Sequence, residues 1–107
     1  MSWVFVTNHA AVFLYLAHNP SSTIRQMMDT LALGKRTILR ITSDLERDGY
    51  LSKRQVGRRN HYTVNPELPL RRPEMAHVVV GKLLKLLGPD VPGRNRGIER
   101  VSAETGA

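Results

Sequence analysis

KRTILRITSDLERDGYLSKRQVGRRNHYTV, residues 35–64, changes its hydrophobic period partway along. In the first half Ile38, Ile41 and Leu45 recur at i, i+3 and i+7, which turns one stripe of a helix inward. That helix runs from about Lys35 to Asp48, and Gly49 ends it. Its outward residues are Lys35, Arg36, Thr37, Leu39, Arg40 and Ser43, with the cations in the first two turns. The acids Asp44, Glu46 and Asp48 come later. In the second half the period becomes two, predicting strands Tyr50–Val56 and His61–Val64. Leu51, Tyr62 and Val64 face the core, Lys53 shares the face of Leu51, and Arg54 lies on the other. Gly57-Arg58-Arg59-Asn60 begins with glycine and ends with asparagine, both turn formers, so the hairpin carries a cationic tip.

Upstream, Thr7 or Asn8 offers an oxygen to cap a helix that reaches about His18, with Val12, Phe13 and Leu16 at helical spacing. Asn19-Pro20-Ser21-Ser22 stops it, because proline cannot continue the hydrogen-bond ladder. A second helix spans about Thr23 to Leu31, and Ile24, Met27, Met28 and Leu31 form its buried stripe. The linker Ala32-Leu33-Gly34 ends in the residue that best tolerates a positive φ after a helix. Downstream, residues 65–73 hold three prolines and read as an extended connector. Glu74 to Leu87 reads as a fourth helix whose apolar face, with Val78, Val79, Val80, Leu83, Leu84, Leu86 and Leu87, is wider than one small core needs. The mixed prolines, glycines and charges of 88–107 predict a flexible tail. No internal repeat or low-complexity tract interrupts this order.

The whole chain has 107 residues, 41% of them hydrophobic, which suits one small domain with a core. Sixteen lysines and arginines against nine acids leave a net charge of +7, which points to a polyanionic partner. Between residues 33 and 64 eight bases face three acids, so five of the seven net charges lie there. The absence of cysteine excludes a disulfide scaffold, a Cys-based zinc site and thiol catalysis. Met1 to Ala17 is apolar but lacks a basic leading region and is interrupted by Thr7, Asn8 and His9. No run approaches the roughly 18 apolar residues of a spanning helix. A soluble, cytoplasmic and nucleoid-associated protein with no membrane partner is expected.

Helix, short turn, helix and then a basic hairpin is the layout of a winged helix-turn-helix, a mainly α fold with a small β-hairpin (α+β). In that layout the second helix of the pair lies in the major groove of DNA, its N-terminal residues against base edges. The expected division is a winged helix DNA-binding domain over 1–66, a connector over 67–73, a C-terminal dimerisation helix over 74–87 and the tail. Thr7-Asn8-His9-Ala10, Arg40-Ile41-Thr42-Ser43-Asp44-Leu45-Glu46, Asp48-Gly49-Tyr50-Leu51, Gly57-Arg58-Arg59-Asn60-His61-Tyr62 and Pro69-Leu70-Arg71 carry a further likeness. Through them the chain resembles the small MarR-like winged helix transcriptional regulators of bacteria and archaea. The resemblance implies a homodimer on a pseudo-palindromic duplex, dimerised through its terminal helices, with each wing over a minor groove. It assigns no small-molecule effector. The chain departs from larger members in having no second long C-terminal helix.

Within the expected interface Arg36 and Arg40 are the candidate base readers, since an arginine fork can hold guanine bidentately. Lys35, Thr37 and Ser43 accompany them on the recognition helix. Lys53, Arg54, Arg58, Arg59, Asn60 and His61 on the wing suit phosphate or minor-groove contacts. Asn60 alternatively takes the positive φ of the turn. Ser22 and Thr23, at the start of the second helix, suit either a phosphate or helix capping. Trp3, Phe5, Val79, Leu83, Leu86 and Leu87 are the candidate dimer contacts. His9, His18, His61 and His77 form no ligand pair with one another or with a nearby acid. No metal or cofactor is therefore expected, and His9 and His77 read as structural residues. No nucleophile elbow or glycine-rich phosphate loop suggests an enzyme. The expected function is a dimeric, sequence-specific regulator of transcription, most simply a repressor. A winged-helix protein-interaction module and a non-specific nucleoid protein are the alternatives.

Overall fold

Capping chemistry sets the boundaries of the helices that precede the hairpin. In a computed structural model, which describes residues 4–87, α1 is Asn8–His18. The Thr7 hydroxyl accepts from the Ala10 amide at 3.1 Å, satisfying one of the amides a helix start leaves bare. Helix α2 is Ile24–Leu31, opened by a reciprocal capping box. Gln26 N–H donates to Thr23 Oγ1 at 3.1 Å, and Thr23 N–H donates to Gln26 Oε1 at 2.9 Å. Helix α3 is Lys35–Arg47 with Gly34 as its N-cap. The left-handed residue of the α2–α3 linker is Ala32 (φ 56°), not Gly34 as expected from the sequence. The chain must reverse directly after Leu31, and Gly34 (φ −73°) is already extended to open α3.

Three helices and the inner end of the hairpin share one core. Val12, Phe13 and Leu16 of α1, Met27 of α2 and Ile38, Ile41 and Leu45 of α3 are buried with Tyr50, Leu51 and Tyr62. In α2 only Met27 is fully enclosed, while Ile24, Met28 and Leu31 pack half-buried at its edge. Thr42 is buried too, and its hydroxyl is satisfied by Leu39 O at 3.1 Å.

Strands β1 (Leu51–Val56) and β2 (Arg59–Val64) pair antiparallel, with Leu51 opposite Val64 and Val56 opposite Arg59. The turn is Gly57-Arg58 alone. Gly57 has φ +64° and Arg58 does not, the pattern of a II′ hairpin. Arg59 and Asn60 therefore belong to the strand, and Asn60 does not adopt the positive φ weighed for it. Beyond Leu51 every residue of β1 is exposed, so the hairpin projects from the core.

The segment after the hairpin departs most from expectation. Residues 74–80 do not form an α-helix: a single 3₁₀ turn, Pro73–Met75, is followed by turns and a bend around one isolated bridge residue, Val79. Leu70 N–H donates to Val78 O at 2.9 Å and Val80 N–H to Leu68 O at 2.8 Å, making a bridge between Pro69 and Val79. The β-branched Val79 suits the bridge position, and Val80 inserts into the core. Only Gly81–Leu86 forms α4. Gly81 is required at its start, since a Cβ there would lie 2.9 Å from Pro66 O. Tyr50 closes the layer by donating its hydroxyl to Pro69 O. The described residues are thus α+β, with four α-helices and a two-stranded antiparallel hairpin. Among them no helix is long and apolar enough to cross a membrane. Trp3 and the tail 88–107 lie outside the described residues.

Candidate nucleic-acid interface

Helix α3 is two-faced because its core residues fall on one helical stripe and its leading cations on another. With Ile38, Ile41, Thr42 and Leu45 inward, Lys35, Arg36, Leu39, Arg40 and Ser43 are exposed and Thr37 is half-buried. Among the described residues Lys35, Arg36 and Arg40 make no hydrogen bond or ion pair. A fully solvated guanidinium keeps its whole set of donors available to a ligand.

The hairpin is mounted on the α1–α2 turn from one edge. Tyr62 N–H donates to Pro20 O at 2.7 Å, so β2 is hydrogen-bonded on both sides. The Arg59 guanidinium donates to Ser21 O at 3.0 Å, and His61 Nδ1 shares a hydrogen bond of 3.2 Å with the Ser21 hydroxyl. Arg59 and His61 thus anchor the hairpin as well as line it. Lys53 reaches Glu46 at 4.0 Å, tying the hairpin to α3. Arg54 and Arg58 are exposed and make no polar contact among the described residues. Between hairpin and α2 a notch of about 200 Å³ is lined by Thr23, Arg58, Arg59 and Asn60.

Of the two α2 candidates, Thr23 serves as the cap. Ser22 is buried, and its hydroxyl is engaged with Tyr15 Oη at 3.2 Å and Thr23 O at 3.0 Å. The enclosed hydroxyl offers nothing outward.

The acidic half of α3 is internally neutralised. His9 Nε2 donates to Asp44 Oδ2 at 2.9 Å, a contact across 35 positions that the sequence did not reveal. Arg47 bridges Asp44 and Asp48 at 3.3 Å each, and Arg71 reaches Asp48 at 3.3 Å. These groups rim a cleft of about 420 Å³ floored by Phe13, Leu45, Tyr50, Leu70, Val80 and Leu83. His77 is exposed rather than structural. No cluster of three metal-ligating side chains occurs among the described residues.

The His9 hydrogen bond holds the Asp44 carboxyl below its ordinary value of 3.8; desolvation opposes this, and Arg47, His9 and Arg40 add attraction. A depressed carboxylate contributes stability above its unfolded pKa and loses it as pH falls through the folded value. Asp44→Asn is therefore expected to flatten the loss of stability below about pH 4. Urea midpoints taken between neutral pH and pH 2 check this; an unchanged slope would show that the pair does not contribute.

The expected dimer contacts divide. Phe5 is 92% and Leu86 80% exposed, Val79 and Leu87 are exposed, and Leu83 is half-buried in the cleft floor. Ser21 went unnoticed in the sequence, since both of its partners are remote along the chain. The capping box was legible as Thr23-Ile24-Arg25-Gln26. Comparison with protein-family models and with curated proteins gives no match.

Proposed function

We propose that the chain is a MarR-like winged helix protein that binds double-stranded DNA as a homodimer and regulates transcription, most simply by occluding a promoter. The order α1, α2, α3, hairpin is that of a winged helix, with α3 as recognition helix and the hairpin as wing. One observation carries the reading: α3 and the hairpin present several exposed cations that make no ion pair among the described residues. Arg47 and Arg71 beside the cleft, and Arg72, are paired with acids. Lys35, Arg36 and Arg40 of α3 and Arg54 and Arg58 of the hairpin make no hydrogen bond or ion pair among the described residues. Such a surface suits a polyanion, and a helix presenting arginines fits the major groove. Exposed Val79, Leu86 and Leu87 beside the cleft support a two-fold interface with a second copy.

Selection of duplexes from a random library, followed by titration at several salt concentrations, tests this. A selected site should bind about 10³-fold or more tighter than random duplex. A ratio near one favours a non-specific nucleoid protein, and no retention even at low salt favours a protein-interaction module. Sedimentation at micromolar concentration should show a dimer; a monomer would remove the two-fold arrangement.

A further inference from the structure

Leu39 does not belong to the core that its neighbours fill. Ile38 and Ile41 on either side are 0% and 1% exposed, whereas Leu39 is 46% exposed. Arg36, Leu39, Arg40 and Ser43 stand at i, i+3, i+4 and i+7, so they share one face of α3. An apolar side chain among solvated cations adds nothing to phosphate binding. It gains only where the partner presents apolar surface between its polar edges.

From this position we propose that Leu39 is a specificity residue that packs on the 5-methyl group of a thymine beside the bases met by Arg36 and Arg40. The inference rests on the DNA-binding reading above. The thymine methyl is the apolar feature of the major-groove edge, and it distinguishes T·A from every other unmodified pair. RNA lacks that methyl, and its deep, narrow major groove does not admit a helix. Leu39 therefore selects DNA over RNA as well as thymine over cytosine. Its side chain supplies shape and apolar contact, while the flanking arginines supply charge and hydrogen bonds.

The test uses the full chain and the tightest duplex recovered by selection, with each thymine replaced singly by deoxyuridine, which removes only the methyl. At one thymine per half-site the replacement should weaken wild-type binding about fourfold, the worth of one methyl buried against leucine. Leu39→Ala should weaken binding to the thymine duplex by a similar factor and be indifferent to deoxyuridine at that position. Alanine keeps the helix intact, which circular dichroism verifies. If the wild type is indifferent to deoxyuridine at every position, the inference is overturned while DNA binding stands. It is overturned equally if Leu39→Ala keeps the wild-type sensitivity, because another residue then holds the methyl. If no duplex is enriched or retained at all, the DNA-binding reading falls and this inference with it.

Discussion

Replacing Arg36, Arg40 and Arg58 together by alanine is expected to abolish site-specific DNA binding while leaving the fold intact. All three side chains are exposed and make no ion pair among the described residues, so their removal leaves no buried charge behind. Arg36→Ala or Arg40→Ala alone should cost about 1–3 kcal/mol at the selected site and relax base preference where the fork is lost. Arg58→Ala should instead weaken all sequences alike and lower the salt slope by about 1. The triple variant combines these losses into about 10³-fold or more, if the sites act independently. Fluorescence anisotropy with the selected and a random duplex reads both quantities. Retained wild-type affinity in the triple variant would end the proposal that α3 and the hairpin form the interface.

A loss of similar size, through stability rather than contact, is expected from Ile38→Ala. Ile38 is fully buried in the core shared by α1, α2, α3 and the hairpin base, and in the chain it lies between Arg36 and Arg40. Truncation removes buried apolar surface and leaves a cavity, costing about 2–5 kcal/mol. Small domains have about 5–15 kcal/mol in all, so much of the native margin disappears. Urea denaturation should show a lower midpoint with little change in slope. DNA affinity should fall only as the folded fraction falls, unlike in the arginine variants. A midpoint within experimental scatter of wild type would show that α3 is not held by this core.

The helices and the hairpin were legible because their determinants are local. Thr7 and Thr23 can cap because the amides they satisfy lie three residues away. Ile38, Ile41 and Leu45 reveal a helix because the period of the backbone selects them. Residues 74–80 misled for a complementary reason. A run of valines, methionine and alanine is apolar enough for a helix, and its diversion into turns around a single bridge depends on carbonyls and amides of residues 68–70. The same limit hid the division of labour within the hairpin, where Arg58 stays in solvent while Arg59 is held by Ser21 O.

By itself the sequence determined the order of elements, the inward stripe of α3 and the concentration of positive charge between residues 33 and 64. Periodicity, capping and turn chemistry act over a few residues, so they can be read without knowing where the chain goes next. The tertiary structure alone decided which cations are neutralised and which remain open. Ion pairing is set by distance in space, and only folding brings His9 to Asp44, Arg71 to Asp48 and Lys53 to Glu46. That sorting turns a net charge into a surface with a direction. It also leaves Leu39 exposed among the open cations of α3.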